Sequence, residues 1–309
     1  MPAKFVLPLP GALCQPDSRR AGTPDPHLLL DPADDKELQL VHGWLLQQPQ
    51  LAAKFQGAVD DAIRYVLEGE RTRRFDLMDS AVDSDERASV GTKLQYRLIE
   101  RLGLTKEPPL DTNILGIAVE IKGTVRKTWM IPREGQCEIT LMVRIDASKH
   151  EFEVLLMRTH RAWLTGGKGN RDLKRSPRKP AENLFALRVL GPMLLPPEPL
   201  RTLSADQLNV VLGRGGLRRR LVELFQCLTE VVIPRVTITI VGAGLGDPLK
   251  RAREAKADLR ALDLIVLVGT WTDERELAGK MGFDLSGEAW VAIHRDTFLE
   301  HDLEIPQLR

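Results

Sequence analysis

The apolar positions of this chain change period along its length, and the changes divide it into segments. From Lys36 onward Leu38, Leu40, Val41, Trp44 and Leu45, then Phe55, Val59, Ile63 and Val66, recur at helical spacing, which predicts helix across this stretch. Leu94, Leu98 and Leu102 form one stripe and predict a second helix from about Gly91 to Gly103, with Gly103 as its C-cap and Pro108-Pro109 as a hard stop. The period then falls to two. Strands are expected at about 109–114, 117–125, 136–146 and 152–158, with close neighbours pairing antiparallel. Residues 1–36 are crowded with Pro, Gly and Asp, so an arm without helix or strand is expected there. A second Pro-rich stretch, 192–204, reads as a linker, and Ser204 can N-cap the helix after it. Beyond lie predicted helices at 205–213, 215–230 and 247–262, an apolar run at 232–242, a strand at 263–269 and a strand-loop-strand over 270–296. The expected organisation is an arm (1–36), a first domain (37–191), a linker (192–204) and a second domain (205–309).

The stretch Leu110–Thr124, LDTNILGIAVEIKGT, sets Asp111, Glu120 and Lys122 into a run rich in Ile and Val. A pleated strand sends Val119 and Ile121 to one side and Glu120 and Lys122 to the other, so the branched residues supply burial while the acid and base share an open face. A tight turn at Leu115-Gly116 folds the preceding strand back and brings Asp111 to the same rim. Two carboxylates about 4 Å apart repel by about 4 kcal/mol at an effective dielectric near 20, and a divalent cation relieves that repulsion. Oxygen-only ligands suit Mg²⁺. An adjacent lysine can orient a water or steady the charge that develops when water attacks a phosphodiester. Asp111, Glu120 and Lys122 therefore meet the needs of a metal-dependent nuclease, with Asp111 and Glu120 as metal ligands. A hairpin with a solvated charged face accounts for the same three residues equally well.

Composition adds limits rather than a direction. A net charge of +1, from 44 basic and 43 acidic residues, gives no global sign of polyanion binding. Charge is segregated locally instead. Residues 166–180 hold Lys168, Arg171, Lys174, Arg175, Arg178 and Lys179 against Asp172 alone. Around the 247–262 helix, Lys250, Arg253, Lys256 and Arg260 fall on one face beside Arg251, while Ala252, Ala255 and Leu259 fall on another; such a helix fits a major groove. Arg218, Arg219 and Arg220 would add phosphate contacts. Cys14, Cys137 and Cys227 are odd in number and widely spaced, which argues against a disulfide framework or zinc ribbon and for a reducing cytoplasm. Histidines 27, 42, 150, 160, 294 and 301 show no paired ligand spacing, so surface or partly buried positions are expected. No apolar run is long enough to span a bilayer, so no membrane partner is expected. Gly242, Gly244 and Gly246 permit a competing reading of 236–269 as a strand-turn-helix-strand nucleotide-binding unit, with Asp247 where the third fingerprint glycine belongs.

GTKLQYRLIERLGL (91–104) followed by LDTNILGIAVEIKGT resembles the core of the NaeI-type (type IIE) restriction endonucleases, within the PD-(D/E)xK nuclease superfamily, with MutH and Sau3AI as more distant relatives. The resemblance continues in EGERTRRFDL (68–77), LRRRLVELF (217–225) and DPLKRAREAKADLR (247–260). It implies an α/β fold: a restriction-endonuclease-like core of mixed β-sheet flanked by helices, then a C-terminal winged-helix domain with its helix-turn-helix. It implies Asp111, Glu120 and Lys122 in the catalytic positions and Mg²⁺ as cofactor. It also implies double-stranded DNA as partner, a homodimer, and a second surface for an effector copy of the site. Family members commonly carry a glutamate where this chain has Gln95, which can hydrogen-bond a metal-bound water but brings no charge. A MutH-like nicking endonuclease and a catalytically impaired DNA-binding protein are the alternatives.

Overall fold

The structure, a computed structural model, describes residues 6–17, 25–166 and 172–308. The chain forms two compact units, Met1–Val66 with Ser80–Pro196, and Leu67–Asp79 with Pro197–Arg309.

The first unit begins with a correction. Strands β1 (Leu13–Cys14) and β2 (His27–Leu28) pair antiparallel inside the arm expected to lack strands. Pro and Gly flank this short ribbon rather than interrupt it, and Cys14 within it and Leu29 just after it are buried. The helix predicted from Lys36 is two helices, α1 (Lys36–Leu46), capped by the Asp35 carboxylate, and α2 (Leu51–Leu67). Pro49 and a left-handed Gln50 (φ 53°) separate them. The chain then contributes α3 (Gly69–Thr72) to the second unit and returns as α4 (Ser84–Arg101). Helix α4 starts at Ser84, not Gly91, because Asp83 accepts the Asp85 and Glu86 N–H groups. It ends as expected, with Gly103 left-handed at φ 67°.

Strands β3 (Thr112–Ile114) and β4 (Ile117–Thr124) form the expected hairpin; Leu115 (φ 57°) and Gly116 (φ 84°) supply the two positive-φ positions of its turn. Strand β5 (Ile139–Asp146) pairs with β4 in parallel, not antiparallel. Residues 125–138 are long enough to carry the chain back to the start of β4, and Trp129, buried and donating to the Val143 carbonyl at 3.1 Å, anchors that return. Antiparallel β6 (Glu151–Arg158) follows; then come helix α5 (Lys179–Phe185) and an edge strand, β7 (Leu187–Leu194), with no counterpart in the sequence reading. Gly191-Pro192 hides β7 from a period-two search, and an edge strand tolerates both residues. The five-stranded mixed sheet runs β3-β4-β5-β6-β7. Helix α4 packs on β4, α1 on β6 and β7, and α5 on β6.

The second unit gathers α6 (Ala205–Val211), opened by a Ser204–Gln207 capping box, with α7 (Leu217–Cys227), α8 (Arg235–Val241) and α9 (Pro248–Arg260). Strand β8 (Leu264–Val268) pairs antiparallel with β9 (Trp290–His294), and Thr229 and Ile233 bridge to β9. Helix α10 (Thr272–Lys280) replaces part of the expected strand-loop-strand, and α11 (Arg295–Glu300) follows β9. The apolar run at 232–242 is helix despite its Val, Thr and Ile content: Pro234 opens it, and Ile238 and Val241 bury against α7 and α9 neighbours. With a helix where the competing nucleotide-binding reading needs its first strand, that reading is withdrawn.

Candidate active site

Asp111 immediately precedes β3, while Glu120 and Lys122 lie on β4. The hairpin sets Thr112 opposite Val119 and so brings Asp111 beside β4, where its Oδ2 accepts the Ile121 N–H at 2.9 Å. Lys122 Nζ lies 2.7 Å from Glu120 Oε1. Helix α4 delivers Gln95. Gly91 and Gly123 let helix and strand backbones meet, for a Cβ on Gly91 would stand 2.5 Å from the Gly123 carbonyl oxygen. One turn further along α4, the Gln95 side-chain amide donates to Asp111 Oδ1. The flipped amide would press its oxygen against a carboxylate oxygen, so the donor orientation is the favoured one.

The charged side of β4 is not the open face expected. Glu120 is 3% exposed and Asp111 8%, and the turn Arg133–Gly135 covers Glu120: a Cβ on Gly135 would lie 3.1 Å from its Cγ. Burial is the largest influence on both carboxyls and raises their pKa values, against the opposing pull of Lys122. Asp111 adds its repulsion to Glu120, and Glu134 adds to both. Glu134 is an acid the sequence reading missed. It sits in an irregular crossover without periodicity, and only the parallel pairing of β5 carries it to this rim. Crowded, partly desolvated carboxylate oxygens with no thiol or imidazole among them fit a hard divalent cation such as Mg²⁺, with Asp111 and Glu120 as the residues to hold it.

A sequence model described as Restriction endonuclease NaeI matches residues 40–298. The chain belongs to the NaeI restriction endonuclease family. As a NaeI-family member it is a type II, site-specific deoxyribonuclease whose partner is double-stranded DNA. A search of curated proteins finds no match. No helix among the described residues is long and apolar enough to cross a membrane.

The basic residues expected at DNA fare unevenly. Lys250 and Arg251 on α9 are exposed and Arg253 is half-exposed; Arg219 on α7 is exposed. Arg251 pairs with Glu254 and Arg218 with Asp258, each at 2.6 Å, surface pairs weak enough for a phosphate to displace. Two residues turn inward. Arg220 is buried and donates to the Val211 and Val241 carbonyls, closing the ends of α6 and α8. Lys256 is 4% exposed, with Nζ 2.8 and 2.9 Å from the Glu274 carboxylate oxygens, and Glu274 also accepts the Val268 N–H. Lys256 shares the helix side of Ala252, Ala255 and Leu259, so the expected basic face is narrower than its spacing suggested. Arg260 is half-buried and donates to the Pro306 carbonyl at 2.5 Å. In the first unit Lys174 lies 3.4 Å from Asp172, and Arg175 donates to the Thr165 carbonyl at 2.7 Å. The Leu173 carbonyl accepts from Gln136 at 3.0 Å, which ties this basic stretch to the turn over Glu120. Lys168 and Arg171 lie outside the described residues.

Proposed function

We propose that this enzyme cuts both strands of DNA at a specific sequence in a Mg²⁺-dependent reaction, with Asp111, Glu120 and Lys122 as its catalytic centre. The observation that carries this reading is the convergence of two buried carboxylates of raised pKa with a lysine 2.7 Å from one of them. Held by Asp111 and Glu120, Mg²⁺ would supply Lewis-acid stabilisation of charge on the phosphodiester and a more acidic water. Lys122, kept in place by Glu120, donates hydrogen bonds to the attacking water or to a non-bridging oxygen as negative charge grows there. Gln95 orients Asp111 without adding charge, a positioning role that leaves the metal to two carboxylates.

In the second unit, the order α7, a bridge to β9, α8, turn, α9, then β8 and β9 supports a winged-helix reading with α9 as recognition helix. Lys250, Arg251, Arg253, Arg218 and Arg219 are then the DNA contacts of that unit, and Lys174 and Arg175 those of the first. A homodimer reading a two-fold site, with a second surface for an effector copy, completes the proposal.

The test is cleavage of unmethylated plasmid and phage DNAs with Mg²⁺, followed by mapping of fragment ends. Recurrent double-strand cuts are expected, abolished by a chelator. Asp111→Ala and Lys122→Ala, folded normally, should each lose at least roughly 100-fold in rate while still binding DNA. Undiminished cleavage by either variant removes the catalytic assignment. Single-strand nicks would instead indicate the MutH-like activity, and a salt-sensitive gel shift without cutting a DNA-binding protein.

A further inference from the structure

Four residues scattered along the sequence, none of them in the carboxylate site, converge in the first unit. Cys14 on β1, His27 on β2, Cys137 just before β5 and His160 just after β6 offer ligand atoms that all lie within 4.8 Å of one another. The cysteine sulfurs are 3.6 Å apart and are free thiols. His27 Nε2 lies 2.9 Å from His160 Nδ1. Around a tetrahedral Zn²⁺, with Zn–S about 2.3 Å and Zn–N about 2.0–2.1 Å, ligand sulfurs stand roughly 3.8 Å apart and nitrogens roughly 3.4 Å apart. The sulfur spacing is close to this, while the two nitrogens stand at hydrogen-bond distance and part by about 0.5 Å when they share the metal.

The surroundings suit a closed site. Cys14, Cys137 and His160 are 0%, 3% and 1% exposed. His27 Nδ1 faces the Asp25 carbonyl at 2.8 Å, so Nδ1 carries the hydrogen and Nε2 turns its lone pair into the cluster. Metal-bound histidines usually have their tautomer set in this way. The Arg161 N–H points at the Cys137 sulfur at 3.4 Å and is placed to donate to it when the metal has replaced the thiol proton. Two thiolates and two neutral imidazoles around Zn²⁺ sum to zero charge, so the loaded centre can be buried without an uncompensated ion.

We infer that Cys14, His27, Cys137 and His160 bind a structural Zn²⁺ ion that fastens the N-terminal arm to the sheet domain. Loading exchanges the two thiol protons for the metal, and four protein ligands leave no open position for chemistry. The sequence reading set these residues aside because their spacing is irregular. Two contacts within the cluster, Cys14 to Cys137 and His27 to His160, join residues 123 and 133 positions apart.

The test uses the full-length, untagged chain, stripped by a chelator under reducing conditions and titrated with Zn²⁺ or Co²⁺. About one tight equivalent per chain is expected. The Co²⁺ form should show thiolate-to-metal charge transfer and the visible bands of a tetrahedral S₂N₂ site. Metal bound at Asp111 and Glu120 has no thiolate and gives no such charge transfer. His27→Gln and Cys14→Ser should weaken binding by more than the roughly 10- to 100-fold that loss of a supporting hydrogen bond costs, while Cys227→Ser leaves it unchanged. The cobalt spectrum of the unaltered chain decides the question even if a variant misfolds. Saturating Co²⁺ without thiolate charge transfer, or a folded His27→Gln chain that binds as tightly as the parent, overturns the assignment.

Discussion

Glu120 occupies a place that suits its neutral form better than its ionised one. Burial raises its pKa, so the folded value lies above the unfolded value. The ionised folded state is therefore penalised. That penalty is absent below the ordinary glutamate range, grows as pH rises through the interval up to the folded pKa, and is complete above it. Glu120→Gln should accordingly melt higher than the parent at neutral pH, with the gap closing in acid. Lys122 loses its partner in this variant, but at 27% exposure it keeps contact with water. Cleavage should fall by at least roughly 100-fold. Thermal melts across pH, set beside plasmid cleavage, check both halves. A variant that melts lower at every pH would show that the ion pair with Lys122 outweighs desolvation. Gln95 works at the same scale through geometry alone, and its role was not visible from its residue type. The sequence flagged it as a missing charge, whereas in the structure its side-chain amide donates a hydrogen bond to Asp111.

Among the elements, the crossing of α4 over β4 is the critical joint. The stripe of Leu94, Leu98 and Leu102 put the helix start near Gly91, yet Gly91 lies inside α4, where its lack of a Cβ admits the Gly123 backbone. Gly91→Ala should cost about 1–3 kcal/mol, as overpacking does, because the obstructing atom is a strand carbonyl rather than a flexible side-chain tip. The same shift would move Gln95 off Asp111, so cleavage should fall while DNA affinity holds. Denaturant midpoints and a binding titration measure the two effects, and a variant of parental stability would mean that the helix can lift at little cost. Strand β7, absent from the sequence reading, and α8, left there as an apolar run, share a cause. Strand β7 carries Gly191-Pro192, and α8 is rich in β-branched residues; in both, neighbours in space override local preference.

For the whole molecule, DNA affinity should fall steeply with salt, and the variants should separate two kinds of lysine. Lys250→Ala or Arg253→Ala should lower the salt slope by about 1 each and leave stability unchanged. Lys256→Ala should instead destabilise the second unit by about 3–5 kcal/mol, since it strands Glu274 as a buried charge, and should leave the salt slope alone. Melting curves and salt-dependent binding isotherms tell these apart; a reduced slope in a stable Lys256→Ala chain would return that residue to the DNA-facing set. Apolar periodicity was enough to locate α2, α7, α9 and the β3–β4 hairpin, because a period records which side of an element is buried, whereas singling out Asp111, Glu120 and Lys122 as a set also needed the family resemblance. It could not determine that β5 runs parallel to β4, that Glu134 reaches the same rim, that Lys256 points inward, or that two cysteines and two histidines meet. Those facts depend on how distant segments close on one another, and a one-dimensional period carries no record of its partner.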